Sequence, residues 1–166
     1  MFSNWPPSAG AIKSIGADIA DGLPDAAKSA PRLRTHVLLH ESHEDPVQRL
    51  LVGFSRGTYV QPHRHTEQWE MIVPIKGVLA LLLFSTTGTI TERVEIAPDQ
   101  TVTLEIPAGI WHTLVPVSES ASMLEVKPGP FRPAEFAPWS PPEGSPTAKQ
   151  AATWLIDAKP GEAFQS

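Results

Sequence analysis

Apolar and polar positions alternate in short runs along the middle of this chain, and turn residues separate the runs. The pattern predicts strands at 35–40, 48–54, 58–61, 69–75, 78–84, 90–96, 102–106, 112–117 and 123–127. The punctuation is Arg56-Gly57, Lys76-Gly77, the 85–88 Ser-Thr-Thr-Gly, Pro98-Asp99 and the 107–109 Pro-Ala-Gly. Many short strands at close spacing predict an all-β antiparallel sandwich or barrel over 35–127. The run VLALLLF at 78–84 is apolar at both parities, so it is expected to be covered on both faces. Ahead of the strands, residues 1–34 read as an N-terminal extension. Ile12, Ile15 and Ile19 are spaced as on a helix, and 24–30 could form a helical turn. Beyond them, 128–166 reads as a Pro-rich strap followed by a short C-terminal helix. In that helix Thr147 and Gln150 fit a capping box, and Ala151, Trp154, Leu155 and Ala158 form one stripe.

Composition sharpens the picture. Eighteen prolines, seven of them between Pro128 and Pro146, argue against a helix bundle, because proline fixes φ and lacks a backbone donor. A length of 166 residues fits one domain. Thirteen Lys and Arg against 18 Asp and Glu leave a net charge of −5, which is the wrong sign for a general nucleic-acid or anionic-membrane binder. No cysteine is present, so disulfides, thiolate metal sites and cysteine nucleophiles are excluded. The start MFSNWPPSAGAIKSIG lacks the basic-then-apolar pattern of a secretory signal. The expectation is a soluble, cytoplasmic protein.

The candidate chemistry sits in two segments. In Gly57-TYVQP-His63-Arg-His65-TEQW-Glu70-MIVPIK-Gly77, residues two apart on a strand share a face, so His63 and His65 can aim two imidazoles at one point. Tyr59 and Gln61 share that parity and are expected to line the same interior. Glu70, from the next strand, can add a hard oxygen. In Pro107-Ala-Gly109-Ile-Trp-His112 a turn leads into a strand that opens with a third imidazole. A His-x-His pair alone is usually a surface or core pair. Three imidazoles and a carboxylate set in one β pattern point instead to a divalent first-row metal: Fe, Mn, Ni, Cu or Zn. An octahedral ion held this way keeps two positions for water or ligand.

These residues resemble the cupin superfamily. The segment 57–77 fits the first cupin motif, G-x5-H-x-H-x4-E-x6-G, throughout. The second motif is met at Pro107, Gly109 and His112, with Thr101 in place of its leading Gly and Pro116 in place of its closing Asn. A closer resemblance, to WbuC-type cupin metalloproteins, runs through PVQRLLVGF, GTYVQPHRH, EIPAGIWHT, LEVKPGPF and EFAPWSPPEG. That group is associated with bacterial surface-polysaccharide gene clusters. The resemblance implies a single cupin double-stranded β-helix, a jelly-roll-like barrel, with one metal on His63, His65, Glu70 and His112. It implies a homodimer by analogy and supplies no substrate.

Other residues are assigned lesser roles. Arg64 has the opposite parity to the histidines and is expected to point away from the metal, toward a carboxylate. Glu67 is expected to be solvated. His36, His40 and His43 are expected to be polar surface rather than a second metal site. Glu125 and Lys127 share a face with Met123. If that face looks inward, Glu125 needs a partner and becomes a candidate for substrate contact. Trp69 and Trp111 are expected to pack behind the ligand strands, with Trp139 covering one end of the barrel. Tyr59, Gln61 and Glu125 are the acid/base candidates. Three functions stay open: a metal-dependent enzyme on a sugar or small polar metabolite, a non-catalytic cupin that binds a small sugar or carboxylate, and a scaffold whose metal is purely structural.

Overall fold

Leu79 and Leu81 point into the space between two sheets, where they meet Ile96, Ile106 and Leu114. Ala80, Leu82 and Phe84, on the opposite parity, lie against Ala151, Ala152 and Leu155 of a terminal helix. This explains why 78–84 is apolar at every position. It is a barrel wall with one core inside and another outside.

The computed structural model describes residue 12 and residues 14–165. In chain order its elements are α1 (Ala17–Lys28), β1 (Arg34–Leu38), β2 (Val47–Ser55), β3 (His63–Arg64), β4 (Glu70–Lys76), β5 (Leu79–Phe84), β6 (Ile90–Ile96), β7 (Leu104–Ile106), β8 (Trp111–Pro116), β9 (Ser120–Pro128), β10 (Glu135–Phe136) and α2 (Pro146–Asp157). One antiparallel sheet has the order β1-β2-β9-β4-β7 and the other β10-β3-β8-β5-β6. Their facing sides enclose Val52, Phe54, Ile72, Leu79, Leu81, Ile96, Ile106, Leu114 and Met123. Helix α1 covers the outer side of the first sheet through Leu23, which packs with Val37 and Leu51. Helix α2 covers the outer side of the second. No helix among the described residues is long and apolar enough to cross a membrane.

Several expectations change. The 58–61 run is not a strand. Gly57 turns the chain at φ 90°, Thr58 Oγ1 donates back to Ser55 O at 2.7 Å, and the ladder resumes only at His63. The N-terminal extension contains a 12-residue helix that runs through Pro24, and that proline is buried beside Leu23. Packing against the sheet outweighs the local cost of proline. The close seating of α1 needs Gly53 on β2, where an added Cβ would stand 2.6 Å from the Leu23 backbone. The remainder of the extension, residues 1–11 and 13 with the start examined for a signal, lies outside the described residues.

The capping box does not form either. Helix α2 starts at Pro146 after Ser145, with no side-chain cap bond. The strap contributes a strand, β10, that pairs with β3. Trp69 is 37% exposed rather than buried. Trp139 lies on the outer side of the second sheet against Phe84 and Trp111, not over a barrel end.

Candidate metal centre

His63 on β3 and His112 on β8 are directly opposite each other in the ladder, and their ring centroids are 4.5 Å apart. Glu70 opens β4 across the barrel and reaches them. Its Oε2 lies 2.9 Å from His112 Nε2, and its Oε1 lies 3.1 Å from His65 Nε2. His63, Glu70 and His112 offer ligand atoms within 4.8 Å of one another, close enough to hold one metal ion. His65 stands at the margin of that set, its ring centroid 5.5 Å from that of His63. The two sequence segments are tied by the backbone. Gly109, at φ 82°, donates its N–H to His65 O at 2.7 Å.

The imidazoles are aimed by their outer nitrogens. His63 Nδ1 is 2.9 Å from Gln61 O, and His112 Nδ1 is 2.9 Å from Ile110 O. A ring whose Nδ1–H is spent on a carbonyl presents a bare Nε2 to the centre. For His112 this creates a conflict. A carbonyl and the Glu70 carboxylate both ask for an N–H, and a neutral imidazole has one. A second ring proton, or a cation between Nε2 and the carboxylate, removes the conflict. His65 Nδ1 is buried without a partner. Burial, and then the neighbouring His112, pushes His63 down to about 3, so this ring is neutral at ordinary pH.

Behind Glu70 lies a buried charge cluster from β9. Lys127 Nζ is 3.2 Å from Glu70 Oε1 and 2.8 Å from Glu125 Oε1. Burial would raise the Glu70 carboxyl, but hydrogen bonds from His112 and His65 and the Lys127 charge carry it well below the usual carboxylate range. Burial pushes Glu125 up, with Lys127 opposing and the Glu70 charge adding to the rise. Lys127 stays an ammonium: burial pulls it down, but the two carboxylates outweigh that and raise it.

The donors form the floor of a cavity of about 340 Å³. Glu125 and Gln61 line it, and so do Arg32, Arg34, His36, Phe131, Arg132, Phe136 and Glu143. Tyr59 does not. It belongs to the outer core under α2, and its hydroxyl donates to Pro141 O at 2.8 Å. Burial pushes that phenol up to about 12. The parity argument fails for Tyr59 because 58–62, after the turn at 56–57, belongs to no strand, so its side chain shares no strand face with His63. Gln61 reaches the cavity wall, but its amide is held by the strap, with Nε2 on Ser140 Oγ at 3.2 Å and Oε1 accepting from Glu143 N at 3.2 Å. Arg64 points away from the floor. It pairs with Glu135 at 2.8 Å and lies 4.4 Å over the Trp111 ring. Glu67 is exposed and pairs with Arg132. His40 is buried rather than on the surface, with its Nδ1 bonded to the Arg49 backbone, and only His36 of the 36–43 histidines lines the cavity. Lys127 and the rim charges Arg32, Arg34 and Glu143 were not singled out as site residues. Strand parity carries a signal for two of them: Lys127 follows Glu125 by two, and Arg34 precedes His36 by two.

A family model described as a domain of unknown function, DUF6016, matches residues 15–96. No curated protein matches the chain. Among solved structures, an oxalate oxidase in complex with glycolate is similar over 66% of this chain and 58% of its own, at 19% identity and TM-score 0.52. A sugar phosphate isomerase from a cupin superfamily, from Silicibacter pomeroyi, is similar over 63% of this chain and 66% of its own, at 21% identity and TM-score 0.50. The chain thus spans under two thirds of the length of either relative. The fold is the cupin fold. In this cupin barrel the two sheets supply opposite halves of the donor set: His63 and His112 stand on one, Glu70 on the other.

Proposed function

We propose that the chain is a metal-dependent cupin in which His63, His65, Glu70 and His112 hold one divalent transition metal at the floor of the cavity. The carrying observation is the convergence of imidazole Nε2 atoms on the Glu70 carboxylate, with the outer nitrogens of His63 and His112 already spent on carbonyls. A divalent ion in such a site supplies Lewis acidity and a template for a small oxygen-bearing ligand. The chain's own residues supply the rest. Lys127 adds its charge to the histidine hydrogen bonds that hold Glu70 ionised, and so helps keep it a ligand. Glu125, raised by burial and lining the cavity, is placed to give or take a proton at a bound molecule. Leu50, Val52, Ile72 and Leu114 give the cavity apolar walls.

The substrate class that fits is a sugar or small polar metabolite. The WbuC-type segments support that reading, as does a cavity of metabolite size. Elemental analysis of natively produced full-length protein tests the metal. About one equivalent of a transition metal per chain is expected, with a loss of tenfold or more in affinity for His112→Ala and Glu70→Gln. Equal retention of metal in both variants would overturn the site. Turnover of a panel of sugars and carboxylates that is abolished by Glu125→Gln, with metal content unchanged, would support the enzyme reading over simple binding.

A further inference from the structure

The rim of the same cavity carries a second group of charges. Arg32 donates to Glu143 Oε1 at 2.5 Å and to Oε2 at 2.6 Å, while Arg34 donates to Oε2 at 2.8 Å. One carboxylate therefore serves two guanidiniums, and the trio keeps a net positive charge. All three residues line the cavity, as does His36, which shares the inward face of β1 with Arg34. Arg132, on the strap, also lines it and pairs outward with Glu67. The Arg32–Arg34–Glu143 trio carries one positive charge beyond its counter-charge, while the Glu70–Glu125–Lys127 cluster on the floor carries one negative charge beyond its own, so the two ends of the cavity differ in sign. Arg34 also donates from its other terminal nitrogen to Tyr59 O at 2.7 Å, whereas Arg32 meets Glu143 alone from an exposed position, so Arg32 is the freer of the two forks. The Arg34 side chain is 16% exposed, so its charge is partly desolvated and acts more strongly on a nearby anion than a surface charge would.

We propose that Arg32 and Arg34 form an anion subsite that takes a carboxylate or phosphate group of the molecule whose other end meets the histidine floor. Guanidinium forks match the planar or tetrahedral oxygens of such groups. Glu143 holds the forks in place between binding events, and its own charge keeps the affinity moderate. Phe131 and Phe136 line the same cavity at 48% and 56% exposure and offer it apolar faces, Phe136 with its ring 6.2 Å from that of His63. The ligand class is thus a small anionic molecule with a CH-rich or flat face. The two-ended part of the inference rests on the metal reading above; the rim itself does not.

The test is an NMR titration of the full chain with inorganic phosphate and, separately, with acetate, read at the arginine Nε–H and His36 ring signals. Both probes are expected to shift these signals, and the tighter one names the anion. Glu143→Gln removes the shared counter-charge and is expected to tighten phosphate binding by about three- to tenfold, whereas Arg32→Gln weakens it by a similar factor. A purely structural clamp predicts no change in phosphate affinity for either variant, and that result would overturn the subsite. His112→Ala separates the two readings. Rim shifts that persist in it uphold the subsite, whatever happens to the metal. Phosphate binding that disappears in His112→Ala, yet is untouched by Arg32→Gln, places the anion on the floor and overturns the rim.

Discussion

Lys127 lies between two carboxylates with its side chain 9% exposed, so removing its charge strands both of them in the barrel. Lys127→Met is expected to destabilise the metal-free protein by about 3 kcal/mol in urea unfolding. Added zinc should restore part of that loss, because a cation on Glu70 replaces the missing ammonium. A variant as stable as the parent without metal would contradict the charge cluster. His63 gives a pH signature. Its folded value of about 3 lies below the ordinary 6.5, so between these limits the unfolded chain takes up a proton that the folded chain refuses. Stability of the metal-free protein therefore falls as pH drops below about 6.5, by at most about 1.4 kcal/mol per pH unit from this group. His63→Gln should flatten that slope in thermal unfolding between pH 6.5 and 4; an unchanged slope would assign the acid sensitivity elsewhere. The histidines and Glu70 were legible as residues because strand parity and motif spacing encode them. Tyr59 was misread because parity is set by a paired strand, and the ladder that carries the His63 face begins only at His63.

Among elements, the join between α1 and β2 depends on a single missing side chain. Gly53→Ala would drive a Cβ onto the Leu23 backbone, and no rotamer can relieve a backbone clash. A loss of about 1–3 kcal/mol is expected by chemical denaturation, as for other overpacked contacts. A neutral outcome would mean that α1 can lift off the sheet without cost. Helix α2 shows the same dependence on a distant partner. Arg93 on β6 donates to Leu155 O at 3.1 Å and Ile156 O at 2.8 Å, satisfying carbonyls at the helix end that the local sequence leaves open. The apolar stripe of α2 could be read from the chain. Its start at Pro146 and its distant C-terminal partner depend on what packs beside it. β10 was not legible at all, since two residues in a Pro-rich strap carry no periodicity and pair only because β3 offers an edge.

For the molecule as a whole, β1 and β7 end one sheet and β6 and β10 end the other. Exposed edges are templates for pairing, and a homodimer through one of them is the assembly we propose. Light scattering should return about twice the chain mass of 18.0 kDa. A mass of one chain at micromolar concentration would rule the pairing out. The two helices bear on this expectation in different ways. Both pack on outer sheet faces, and the C-terminal segment already occupies the start of the β6 edge, where Ile90 N–H donates to Glu162 O at 2.8 Å.

Local order in the chain was enough to determine the antiparallel β class, the doubly covered strand at 78–84, the strap and the residues competent to hold a metal. Each follows from a short-range rule of period, spacing or donor chemistry. The tertiary structure alone decided which donors meet, that Lys127 stands behind Glu70, and that Arg32, Arg34 and Glu143 gather at one rim. Those facts join positions as far apart as Arg32 and Glu143, 111 residues along the chain. Contacts over such separations depend on sheet order and register, which the folded barrel sets and no local pattern records.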